Sequence, residues 1–364
     1  MFLLDPSNPL TWITIAAIII IPTAILARSF KTTVLFVYPN AKIEAMGNPF
    51  LESSNIERLL ESKTLKGFIE HLSTHRDYKV EGETTLELQE SIDEILPRFI
   101  EDLKRDNSKK MQGFYDMFLQ KMDSHILKKA FRDLAEGKEI QVDLKKIKSN
   151  ITKQIIKDLI ETEDIESTLR QHGFPVELIE LIRNRTDKPL LIDAYVDRYI
   201  IDKLRETSVP HGCRKGLQEY IDRLLDIENL KLLFRAKQLK YDEETILKLF
   251  LGEGVEIPLW KYKELIQTRD IPQLISQLEG TSYYGVLKNI DFKTSVQQLT
   301  IALDKLLLKH ARDISTSNYT TIGPTIRFLV SKEIEIRNLR IIAKGIGEQL
   351  PLENIKPLLI VEEK

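Results

Sequence analysis

The chain has 364 residues, with 53 Lys and Arg against 55 Asp and Glu, a net charge of −2. That balance excludes a strongly basic nucleic-acid binder, and 42% apolar residues exclude an acidic disordered chain. The single cysteine, Cys213, excludes a disulfide framework and any cysteine-based zinc or iron–sulfur centre, and the six histidines are too scattered for a His-rich metal site.

With only 15 Gly and 14 Pro, helix breakers are scarce, and the expected fold class is all-α. The first expected element runs from Pro6 to Ala27, where no charge occurs. As a helix this run is about 33 Å long at ~1.5 Å per residue, enough to cross a hydrocarbon core of about 30 Å. Pro22 would kink it, and Trp12 suits an interfacial anchor. A cleaved signal peptide would want a positive start and a small-residue cleavage site, whereas only Asp5 precedes the run. A buried core helix is the other alternative. Arg28 and Lys31 follow the run, so the positive-inside rule puts the large C-terminal part in the cytoplasm. On that reading the Asn150, Asn184 and Asn318 sequons are chance matches.

From about residue 35 onward, three boxes recur in the same order. The first is Leu59-Leu60-Glu61-Ser62-Lys63-Thr64-Leu65, then Leu159-Ile160-Glu161-Thr162-Glu163-Asp164-Ile165, then Leu265-Ile266-Gln267-Thr268-Arg269-Asp270-Ile271. Ile56, Leu59 and Leu60 have helical spacing, and Thr64, Asp164 and Asp270 are N-cap residue types. The box therefore reads as a helix end, a turn and a newly capped helix, with Pro272 in a first turn where proline is tolerated. The second box is an acid inside an apolar helix: Asp93, Asp197 and Asp304. The third opens with Asp123, Asp226 or Glu335 and carries Lys128, Lys231 or Arg340 toward its end, a polarity that suits the helix dipole. Three homologous helical units follow, 35–140, 141–245 and 246–364, each of roughly 105 residues. That period is too long for the usual helical solenoids. A closed pseudo-threefold body is the expected arrangement.

Little in the sequence carries bond chemistry. Gly252-Glu253-Gly254 and Gly345-Ile346-Gly347 lack the remaining glycines and the strand of a nucleotide loop. His71 and His75 share a helix spacing, but Leu72 stands where a zinc-binding His-Glu-x-x-His motif has Glu, so polar histidines are expected. Cys213, in Pro210-His211-Gly212-Cys213-Arg214, reads as part of an inter-helix loop. Asp93, Asp197 and Asp304 could be catalytic carboxylates, but one acid per repeat describes a scaffold better than one active site. Each acid then wants a cation, because an unpaired buried charge is costly. Lys128, Lys231 and Arg340 are the candidate partners, and they could equally face another protein. No catalytic, metal or cofactor site is expected. A membrane-anchored helical scaffold and a membrane-tethered enzyme are the competing readings.

The Tyr38-Pro39-Asn40-Ala41-Lys42-Ile43-Glu44-Ala45-Met46 segment and the stretch Ser331–Gly345 around Glu335-Ile336-Arg337-Asn338-Leu339-Arg340 carry a resemblance. With the three-unit plan, they resemble the C subunit of archaeal-type (A-type/V-type) ATP synthases, the counterpart of the d subunit of vacuolar proton pumps. The resemblance covers about 38–364. It implies a funnel-shaped, all-helical protein with no catalytic residue and no nucleotide. Its expected partners are the central stalk, received in the funnel, and the membrane rotor ring. The Pro6–Ala27 segment reads as a departure from the family's soluble plan, adding the lipid bilayer, or the lumen of the ring, as a partner.

Overall fold

The computed structural model describes residues 9–290 and 296–362, with no side-chain description at 9, 10, 28 and 29. The described residues are helical, with no strand among them. The start of the expected span at Pro6 and the side chain of Arg28 lie outside the described residues.

The first helix, α1 (Pro9–Met46), is a single element about 57 Å long at ~1.5 Å per residue. Its apolar part is uncovered: Ile18, Ile19, Ile20 and Ile21 are all exposed. This overturns the alternative of a buried core helix. The same helix continues past Lys31 into the body, where Phe36 and Ile43 are buried. It ends at Gly47, whose φ of +60° suits glycine and whose N–H donates to Ile43 O at 3.0 Å.

After α1 come α2 (Ser53–Leu60), α3 (Leu65–Leu72), α4 (Thr85–Asp93), α5 (Ile95–Asp106), α6 (Gln112–Met122) and α7 (Ser124–Ala135). The next series is α8 (Asn150–Glu161), α9 (Ile165–Gln171), α10 (Val176–Arg183), α11 (Pro189–Glu206) and α12 (Arg214–Gln238), followed by α13 (Glu243–Lys248). The last series is α14 (Leu259–Ile266), α15 (Ile271–Gln277), α16 (Ser282–Leu287), α17 (Val296–Ser317) and α18 (Gly323–Gly347), with α19 (Leu352–Ile355) near the C-terminus. Each first box is a helix end and a capped restart. Thr64 accepts from Gly67 N at 3.1 Å, Asp164 from Ser167 N at 3.0 Å and Asp270 from Gln273 N at 2.9 Å. Pro272 sits in the first turn of α15. Ile56, Leu59 and Leu60 form the buried stripe of α2.

Two details differ from the sequence reading. Asp197 and Asp304 lie inside α11 and α17, but Asp93 is the last residue of α4, where the chain breaks at Glu94 before α5. The dipole explanation of the third box holds only for Asp123, which precedes α7. Asp226 and Glu335 fall in the middle of α12 and α18, where the terminal partial charge has faded. Their role is long-range, as shown below.

The long helices set the packing. α5 pairs with α6, α11 with α12, and α17 with α18. Between these hairpins, α7 packs on α11, α12 on α17, and α18 on α4. The helix bearing a third box thus always packs on a helix bearing a second box of another copy. The hairpin turns gather at one end. A Cβ on Gly113, at the start of α6, would stand 3.3 Å from Thr207, and one on Gly216 would stand 3.0 Å from Asn318.

Helix α1 touches all three turns. Lys42 pairs with Asp106 of the first at 2.6 Å. Asn40 Nδ2 donates to Tyr319 O at 2.8 Å and Thr321 O at 3.2 Å in the third. A Cβ on Gly212, in the second, would lie 3.8 Å from Thr321 Cγ2 and 3.9 Å from Thr32 Cγ2.

Candidate functional site

The six acids and bases singled out in the sequence meet as three pairs. Lys128 lies 2.6 Å from Asp197, Lys231 lies 2.5 Å from Asp304, and Arg340 lies 3.4 Å from Asp93. The order is cyclic: first copy to second, second to third, third back to first. Each base joins the helix bearing a third box to the helix bearing the next second box.

The pairs are unequal. Asp304 also receives Arg337, and Lys231 also receives Glu228 at 2.8 Å. Burial works against ionisation of Asp304, but Lys231 and Arg337 outweigh it and hold the carboxyl below its ordinary value. Burial wins at Asp197, whose pKa is pushed up to about 6 against the pull of Lys128. Burial also raises Asp93, with Arg340 opposing it. Of the three second-box acids, Asp197 is therefore the one held furthest above the ordinary aspartate range. Its folded pKa lies above the unfolded value, so its contribution to stability is complete below about pH 4 and is lost as pH rises through 6. Compared with the Asp197→Asn variant, the native chain should gain melting temperature as pH falls from 7 to 5. A carboxyl NMR titration should place Asp197 near 6 and Asp304 below the ordinary aspartate range. An Asp197 resonance fully ionised at pH 5 would contradict this.

A second cyclic set lies deeper. Asp123 accepts from Ser149 N at 2.6 Å and Lys148 N at 3.0 Å, just before α8. Asp226 accepts from Val255 N, Glu256 N and Ile257 N at 2.8–2.9 Å, just before α14, and from Tyr283 OH at 2.9 Å. Glu335 accepts from Phe50 N at 2.7 Å, before α2, and from Tyr78 OH at 2.5 Å. Lys332 completes this last cluster. Its ammonium lies 2.6 Å from Glu335, donates to Gly47 O at 3.1 Å and also contacts Tyr78 OH. The rings of Phe99 and Phe328 flank it at 4.9 and 5.2 Å. Both Lys332 and Glu335 are fully buried. Burial lowers the Lys332 pKa and, with Glu335 adding to it, raises that of Tyr78. Asn229 and Asn338 each clamp an extended strap through two hydrogen bonds, at 251–252 and at Ile360.

Between these helices lies a cavity of about 1110 Å³ walled by α4, α6, α7, α12, α17 and α18. Leu224, Val330 and Ile334 line it beside ion pairs such as Lys121–Glu333 at 2.7 Å. Burial opposes the charge on Lys121 and Lys231, but Glu333 and the Glu228–Asp304 pair hold both ammonium groups well above the usual lysine range. Sequence reasoning missed Glu228, Glu333, Arg337 and the Lys332–Tyr78 contact. Only the placement of Glu335 and Asn338 in the third box could have pointed to them.

The remaining candidates are local. His71 Nδ1 meets Ser62 Oγ at 3.0 Å, and the His75 ring stands edge-on to Phe50. Among the described residues no cluster of His, Cys, Asp and Glu could hold a metal. Cys213 is buried at the start of α12, with its thiol pushed up to about 12 by burial.

The model of the ATP synthase (C/AC39) subunit family matches residues 39–358. The A-type ATP synthase C subunit of Methanocaldococcus jannaschii is 33% identical over 49% of this chain and 46% of its own. That of Methanobrevibacter smithii is 35% identical over 47% and 46%. Against these two relatives the chain spans about half their length. That of Methanothermobacter thermautotrophicus is 27% identical over 95% of this chain and 92% of its own. A match that omits only a twentieth of the chain reaches back into α1.

Proposed function

Since the chain belongs to the ATP synthase (C/AC39) subunit family, we propose that it is a non-catalytic rotor subunit of an A-type ATP synthase. In this reading it joins the central stalk to the membrane rotor ring, so that stalk rotation and ion movement, of protons or sodium, are coupled. The segments 35–140, 141–245 and 246–364 are equivalent units closed into a funnel. The observation that carries the reading is the cavity of about 1110 Å³, whose wall draws on helices from all three segments. A recess of that kind suits a stalk foot held by shape and paired charge, with no bond chemistry asked of the wall.

The membrane part of the proposal rests on α1. Its 18-residue window of highest hydropathy averages 2.1, and none of that window is buried. A helix that touches three equivalent hairpin turns stands where they converge. If the units are equivalent, α1 lies on their common axis and continues into the bilayer, within the lumen of the ring. The body stays on the cytoplasmic side with Lys31.

A tagged pull-down from gently solubilised native membranes tests the coupler. Stalk, ring and catalytic-head subunits should be recovered together with ATPase activity. Recovery of none of them, from membranes in which the ATPase is intact, would sink it and leave a membrane-anchored scaffold with other partners. Deleting residues 1–27 should weaken ring binding and ATP-driven ion pumping. Unchanged pumping would remove the axial role of α1.

A further inference from the structure

The geometry points to the hairpin turns around α1 as a binding surface for anionic lipid headgroups. This rests on the reading that α1 enters a bilayer.

Five exposed cations gather at this end: Lys31 on α1, Lys109 and Lys110 before α6, and Arg214 and Lys215 at the start of α12. None of the five has an acidic partner within 4 Å among the described residues, although ion pairs abound elsewhere. Arg214 reaches only Thr207 O, at 3.2 Å. The acids nearby are largely taken: Asp106 by Lys42, and Asp222 by Arg205 and Gln218. Glu219 stands one turn further along α12, and Asp313 more than a turn before the end of α17. The net charge at this end is positive.

Folding does not favour this placement. Arg214 and Lys215 open α12, whose first turn has no acid, and the N-terminal end of a helix disfavours cations. Lys109 and Lys110 likewise stand just before α6. An external anion at these positions would meet side-chain charge and helix dipole together.

Depth identifies the anion's source. Thr32 is buried against the Gly212 turn, whereas Phe30 is 72% exposed, so α1 leaves the body there. The uncharged run ends at Ala27, about 7.5 Å away at ~1.5 Å per residue. A headgroup layer is about 5–8 Å deep. The turns therefore reach the outer edge of that layer, and each Lys or Arg held there enriches anionic lipid about fivefold.

The test uses the full chain in vesicles of phosphatidylcholine with or without phosphatidylglycerol. A donor dye at Thr320→Cys, an exposed position on the third turn, reports energy transfer to headgroup-labelled lipid. Transfer to labelled phosphatidylglycerol should exceed transfer to labelled phosphatidylcholine by about fivefold or more. The excess should vanish at 1 M salt and in the variant K109Q/K110Q/R214Q/K215Q. Transfer to phosphatidylcholine should persist in both cases, showing that α1 remains inserted. Equal transfer to both lipids in the native chain would overturn the proposal and leave the anchor standing. No transfer to either would overturn both. Loss of ring copurification in the fourfold variant without any lipid preference would assign these cations to the ring instead.

Discussion

Glu335→Ala should lower the melting temperature of the full chain by roughly 5–10 °C, the largest loss expected from any single polar side chain of the body. Glu335 is fully buried and accepts from Phe50 N, Tyr78 OH and Lys332. Removing it strands a lysine ammonium that also has 0% exposure. Losing one partner of a buried ion pair costs about 3–5 kcal/mol, because the remaining charge is neither solvated nor paired. The aromatic rings around Lys332 offset only part of this, at about 2 kcal/mol or less. Glu335→Gln should lose less, since its amide oxygen can still accept from Phe50 N. The double variant Lys332→Met/Glu335→Leu should recover part of the loss, because no charge is left alone. If Glu335→Ala melts within 2 °C of the native chain, the cluster does not hold the junction between α1 and α18.

Asp226→Ala should cost about 3–4 kcal/mol, whereas Asp123→Ala, at the corresponding third-box position, should cost only about 1–2 kcal/mol. The difference follows from the bonds lost. Asp226 satisfies three consecutive backbone N–H groups and the Tyr283 hydroxyl, while Asp123 satisfies two N–H groups. Each buried donor left without an acceptor costs about 1–3 kcal/mol, reduced where water can enter. The approach at Asp226 is so close that a Cβ on Gly254 would stand 2.1 Å from Asp226 Oδ1 and 2.5 Å from Asp222 O. Gly254→Ala should therefore destabilise the same strap through sterics. Hydrogen exchange is the direct readout: amides 255–257 should accelerate in Asp226→Ala and stay protected in Asp123→Ala. Equal melting temperatures for the two variants would contradict this ranking.

The sequence carried the local features clearly. Caps at Thr64, Asp164 and Asp270 act within three residues, so their side-chain types announce them. The apolar stripe of α2 is legible for the same reason. Absence of a breaker between Arg28 and Tyr38 also allowed α1 to run on from the apolar segment into the body. What escaped were contacts between residues far apart in the chain. Glu335 meets Phe50 and Tyr78 across more than 250 positions. A mid-helix acid has no local signature that distinguishes a buried acceptor from a solvated charge. Position in the third box suggested a dipole role, which Asp226 and Glu335 do not have. The repeat identified Lys128, Lys231 and Arg340 as partners for the second-box acids without saying which would meet which. Only the closed order of helix packing does that.

That closed order has a mechanical consequence. In the proposed ring, peptide bonds tie the first segment to the second and the second to the third. No such tie runs from α18 to α4. There the wall is joined by Lys332, Glu335 and Tyr78, by Arg340 on Asp93, and by Glu362 N donating to Leu51 O at 3.0 Å. An occupant pressing outward from the cavity puts the wall under hoop tension, and the seam without a covalent tie sets its yield point. A fully buried lysine–glutamate pair sits on that seam. Lys332 also grips Gly47, where α1 ends. Bursting of that wall and loosening of α1 are thus one rupture, resisted by the same few side chains.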